Sequence, residues 1–157
     1  MNQGDIKVRF ELDPSDWHGH GTETLWATPI ADLGAFRIAN SPFFARGISY
    51  RDVVRASPLP CASLFAYQEV LERSGHSTYM LLMNEHESRI ESYWSMLVRC
   101  GCSFESMHID LSIGKRVLYS VDVPPRPDAG DVYEMLRRGE QDRVWMFQEG
   151  YAAPSAP

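Results

Sequence analysis

No stretch of this sequence approaches the roughly 18 consecutive apolar residues of a membrane-spanning helix, so no membrane span is expected. Cysteine is scarce: Cys61, Cys100 and Cys102 are an odd number without framework spacing, which excludes a disulfide scaffold and points to a reducing compartment. Basic residues are the minority, 15 Lys and Arg against 21 Asp and Glu, for a net charge of −6. That balance argues against nucleic acid, whose phosphates are bound by cations that release counterions. An acidic chain is drawn instead to basic protein surfaces, although the same charge also serves solubility. Met1 to Asp5 lack the positive flank and apolar core of a signal peptide, and a cytoplasmic protein is expected.

What the chain does contain is enough to fold. At 157 residues and 44% hydrophobic, it can bury a core without staples. Ile6, Val8, Phe10 and Leu12 alternate with charged residues, the period of a strand with one wet face. Pro14 breaks it. Glu23 to Ile30 and Ala35 to Ala39 read as a hairpin around an Asp32 to Gly34 turn, followed by strands over Asp52 to Ala56 and Leu64 to Leu71. Five short strands predict a small, mostly antiparallel β-barrel or curled sheet over residues 1–73. In the stretch from Ser41 to Ala56, Phe43 and Phe44 are expected in the core or in packing between the halves, Gly47 in a turn, and Val53 and Val54 on a barrel strand.

Residues 74–151 have a different rhythm. Thr78 to Met83 is a buried strand by length and hydrophobicity. Asn84 is placed to cap a helix whose stripe is Ile90, Tyr93, Trp94, Leu97 and Cys100, ended by Gly101. Strands over Ser103 to Ile109 and Val117 to Val123 follow. A second helix, capped by Asp128 and running to about Gly139, leads to a last strand over Val144 to Glu149. The order βαββαβ predicts an α+β, ferredoxin-like unit with two helices on one face of a four-stranded sheet. Its 8 basic and 12 acidic side chains again disfavour RNA. The tail, residues 152–157, is expected to fray.

Candidate chemistry is sparse. His18 and His20, flanked by glycines, can face one way on an extended segment, but no third ligand of matching spacing is near, and a polar loop is the preferred reading. Cys100 and Cys102 bracket Gly101, yet Cys100 lies on the apolar stripe and is read as core. Ser74, His76 and Ser77 invite a nucleophile-and-base reading, but neighbours in sequence rarely reach triad geometry. A turn tying the halves together is preferred. No catalytic residue, metal or cofactor is assigned.

Four segments carry a family resemblance: Val8-Arg-Phe with Leu12 and Asp13, Pro42-Phe-Phe-Ala-Arg-Gly-Ile-Ser-Tyr-Arg-Asp-Val-Val54, Glu72-Arg-Ser-Gly-His-Ser-Thr-Tyr79, and Val121-Asp-Val-Pro-Pro125. Together they resemble the bacterial family catalogued as domain of unknown function 4265, over nearly the whole chain. Where that family's pattern has Gly between Tyr50 and Asp52, this chain carries Arg51. The resemblance brings no established site residues. Small size, acidic balance and many aromatics suggest a protein-binding module, most concretely an immunity-type protein that neutralises a toxin domain encoded nearby. The competing expectation is a small-molecule binder or enzyme with a pocket between the halves, drawing on Arg46, Ser49, Tyr50, Asp52, Ser74 and His76, with Asp52 paired to Arg46.

Overall fold

The structure, a computed structural model, describes residues 5–31, 33–126 and 129–154. Alternation along the first strand, β1 (Ile6–Glu11), buries Ile6, Val8 and Phe10 and wets the residues between them. It pairs antiparallel with β2 (Thr22–Pro29), which continues through β3 (Ala35–Ile38) and β4 (Val53–Pro58) to β5 (Leu64–Glu72). Parallel pairing of β5 with β1 closes these five strands into a barrel. Closure leaves no sheet edge unpaired and gathers Val8, Leu25, Ile38 and Val54 in the interior. The expected hairpin is present, with Asp32 of its turn outside the described residues.

The second sheet is built from β6 (Ser77–Asn84), β7 (Ser103–Leu111), β8 (Gly114–Val123) and β9 (Met146–Tyr151). Their spatial order is β7-β8-β6-β9, and each pairing is antiparallel. Helices α1 (Ile90–Arg99) and α2 (Ala129–Gln141) belong to the core formed with one face of the sheet, where Leu97, Cys100, Cys102, Val132 and Leu136 meet Tyr79, Leu81, Val121 and Trp145. Both cysteines flanking Gly101 are therefore core residues, as the apolar stripe predicts for Cys100. Gly101 ends α1 at φ 83°. Gly139 is needed for proximity: a Cβ there would strike the Trp145 ring, whose Nε1 donates to the Leu136 carbonyl at 2.9 Å.

One helix start differs from expectation. Asn84 does not cap α1; it ends β6, and its Oδ1 accepts the His86 amide in a turn at 2.9 Å. The N-cap is Arg89, which has no side-chain capping bond. Glu87 takes both the amide and the Nε of Arg89, at 3.0 and 2.8 Å, so this local ion pair shapes residues 85–89 into a turn before the helix can begin. Asp128, the expected cap of α2, lies outside the described residues, as do residues 155–157 of the tail. Ala153, by contrast, donates its amide to Ser77 Oγ at 2.9 Å, so the start of the tail is tied down.

The other face of the sheet meets the barrel. Phe44 packs on Met80, Ile109 and Leu118, with Phe43, Leu12 and Met107 around them. Glu23 fixes the segment that carries Phe44: its carboxylate accepts the amides of Phe43, Phe44 and Ala45 at 2.6, 2.9 and 2.7 Å. Gly47 turns the chain at φ 78° and donates to the Gly150 carbonyl of β9 at 2.9 Å. Arg51 sits at φ 69°, in the left-handed region that glycine adopts without a Cβ penalty. The left-handed backbone there disfavours any side chain, and Arg51 adopts it nonetheless.

Candidate functional site

Asp52 organises the junction of barrel and sheet. Its side chain is fully buried, and its two oxygens accept the Ser49 amide at 3.0 Å, the Ser74 amide at 2.8 Å and Arg73 Nη1 at 3.1 Å. Arg73 also donates to the Gly47 carbonyl at 2.6 Å and lies over the Tyr151 ring at 4.0 Å. A buried carboxylate needs such partners, because desolvation otherwise outweighs its charge interactions. The expected partner, Arg46, is not among them. It pairs instead with Asp16 at 3.2 Å, because Gly47 turns the chain between Arg46 and Asp52.

Tyr50, Ser74 and His76 do come together. Ser74 Oγ donates to the Tyr50 carbonyl at 2.7 Å and accepts the His76 amide at 3.2 Å. The hydroxyl is thereby committed to backbone, and no nucleophile–base pair forms between Ser74 and His76. His76 Nδ1 lies 2.8 Å from Asp122 Oδ1, with the Tyr50 ring edge-on at 5.4 Å. Asp122 is the residue that sequence reasoning missed. Its position in the Val117 to Val123 alternation places it on the face away from the helices, but nothing local announces a histidine 46 positions earlier.

Beside this pair a polar cleft of about 290 Å³ opens between barrel and sheet. Its walls include Asn40, Ser41 and Tyr50 on one side and Glu105, Ser120 and Asp122 on the other. Ser120 is spent on the Pro42 carbonyl, and Asn40 Oδ1 on the Trp26 amide. Burial pushes the Asp122 carboxyl above the ordinary aspartate range, and the hydrogen bond from His76 only partly opposes it.

A second concavity is apolar. On the same sheet face, where the barrel's cover ends, Met80, Leu82, Leu111, Ile113, Leu118 and Met146 line a groove of about 390 Å³ walled by Trp17. Trp17 is held there by its Nε1 donating to Gln148 Oε1 at 2.9 Å. Trp17, Ile113 and Met146 remain 38%, 55% and 51% exposed. The neighbouring His20 stacks on Phe44, His18 packs against the same ring at a tilt, and His18 Nδ1 accepts the His20 amide at 2.9 Å. Burial depresses the basicity of His18, which packs between Trp17 and Phe44, while His20 remains exposed. Among the described residues, no three His, Cys, Asp or Glu side chains cluster as metal ligands, and no helix is long and apolar enough to cross a membrane.

Barrel, four-stranded sheet and two helices define a mixed α+β protein. The crystal structure of a hypothetical protein from Neisseria gonorrhoeae has the same fold, with a TM-score of 0.73 over 99% of each chain at 17% identity. The family model described as a domain of unknown function, DUF4265, matches residues 23–147, and the chain belongs to that family. No curated protein matches the sequence.

Proposed function

We propose that the protein is a cytoplasmic protein-binding module, most concretely an immunity-type protein that binds and neutralises a toxin domain. The observation that carries this reading is the apolar groove, with Trp17, Ile113 and Met146 left partly in water. Apolar surface gathered in one concavity gains by burial against a partner, and aromatic and Met side chains are the groups that anchor interface centres. The net charge of −6 favours a basic partner and an association that weakens with salt. Cys61, an exposed thiol, supports a reducing compartment. The strand order β7-β8-β6-β9 and antiparallel pairing support a ferredoxin-like assignment of the second unit. That fold hosts many activities, so the groove and not the fold bears the functional argument.

The test is co-expression with the product of the adjacent reading frame in the native host. A stoichiometric complex that protects the cell is expected, and Ile113→Asp with Met146→Asp weakens it at least about tenfold. Both side chains are more than half exposed, so melting temperature should barely move. Recovery of no stoichiometric partner, or full binding by the doubly substituted protein, overturns the reading.

A further inference from the structure

The second sheet ends on β7, whose outer side is open. This strand runs nine residues and pairs with β8 without a shift of register. Leu111 and Gly114 close a two-residue hairpin, so they are a hydrogen-bonded pair, and the odd-numbered residues of β7 bond to β8. The amides and carbonyls of Ser106, His108 and Asp110 therefore point outward, and among the described residues none of them has a backbone partner. The opposite edge is treated differently. Gly47 donates its amide to the Gly150 carbonyl of β9, and the β6–β9 register is interrupted between Thr78 and Tyr79. Folded proteins blunt an open edge with lysine, proline or a bulge, and β7 has none of these. An unbroken edge of this kind is a template for one more strand.

The side chains of β7 decide which strand fits. A two-fold axis through the sheet would set two copies of β7 antiparallel, with side chains of the same face opposite each other. Registers centred on Glu105, His108 or Asp110 bring like groups together, two carboxylates or two imidazoles. Those centred on Ser106 or Met107 set Glu105 against Met107 or Ile109. The register centred on Ile109 instead sets Asp110 opposite His108 twice, Ile109 opposite itself and Met107 opposite Leu111, and it leaves Glu105 outside the overlap. Opposite charges and apolar pairs directly across from one another stabilise antiparallel neighbours, whereas like charges do the reverse. His108 and Asp110 are exposed, and the helix that covers β7 meets it at the other end, where Trp94 packs on Phe104. We propose that β7 is a self-association edge: two copies of the chain pair antiparallel about Ile109, exchange main-chain hydrogen bonds between His108 and Asp110, and join their sheets into one. The overlap, Met107 to Leu111, is short, so the dimer is a weak one with a dissociation constant on the order of 100 μM. It uses the strand edge and does not depend on the apolar groove being occupied.

The test is sedimentation equilibrium of the full chain from about 10 μM to about 1 mM, with amide exchange read at both ends of that range. A reversible monomer–dimer equilibrium is expected. The His108 and Asp110 amides should exchange about fivefold more slowly at the high concentration, because only the dimer gives them acceptors. His108→Asp sets aspartate opposite aspartate at both ends of the overlap and weakens association at least about tenfold. Adding Asp110→Lys to that variant restores opposite charges and returns the affinity to within about threefold of wild type. Both side chains are exposed, so the fold of the monomer is kept, and a variant that merely misfolded would not be rescued by a second charge change. A monomer at about 1 mM, unchanged association in His108→Asp, no rescue in the doubly substituted chain, or a dimer whose His108 and Asp110 amides exchange as fast as in the monomer overturns the proposal.

Discussion

Folding draws the Asp122 carboxyl away from water, and a buried acid of this kind leaves a pH signature. Burial raises its folded pKa above the unfolded value of about 3.9. The native state then holds that proton more tightly than the unfolded chain. The stability so gained is present below the unfolded pKa and is lost as pH rises through the folded one. Asp122→Asn retains the oxygen that faces His76 but cannot ionise. Its urea-unfolding free energy, relative to wild type, should therefore increase between about pH 3 and pH 7. A difference that stays constant across that range would show that Asp122 ionises as easily folded as unfolded. At this scale the sequence was partly legible. Tyr50, Asp52, Ser74 and His76 are indeed neighbours, whereas Arg46 went astray because a single left-handed turn at Gly47 redirects it to Asp16.

At the scale of elements, period-two and period-three-to-four patterns marked strands and helices wherever one face is buried. The strand Gly114–Val123 shows why: Val117, Tyr119, Val121 and Val123 face the helices, while Leu118, Ser120 and Asp122 face the barrel. Ends were harder to read, because caps compete with local ion pairs such as Glu87–Arg89. The segment from Phe43 to Ala45 has no regular structure of its own and depends on Glu23. Glu23→Ala strands three amides and should cost about 3 kcal/mol, measured by chemical denaturation. It should also loosen Phe44, seen as faster amide exchange through Met80 and Leu118. A loss below about 0.5 kcal/mol, the size typical of surface substitutions, would mean that water replaces the carboxylate.

Over the whole molecule, barrel and sheet share a core at Phe44, Met80, Ile109 and Leu118 and are joined by the chain of contacts from Arg73 through Asp52 and Ser74 to His76 and Asp122. Such shared burial couples their unfolding. A single thermal transition is expected, with calorimetric and van't Hoff enthalpies equal. Asp52→Ala removes a buried, fully bonded carboxylate and should lower that one transition by about 3–5 kcal/mol while leaving it single. Two separable transitions in the wild-type protein would refute the coupling.

The amino-acid order by itself determined the elements and the family, since alternation, turn residues and the motif from Pro42 to Val54 are local properties of the chain. It also set the acidic balance and the scarcity of cysteine. Only the tertiary structure decided which acids and bases meet: Asp52 with Arg73, Asp122 with His76, and Glu23 with three distant amides. Those pairings span about twenty to nearly fifty residues, and their free energy comes from sharing a desolvated place that no short window of sequence describes.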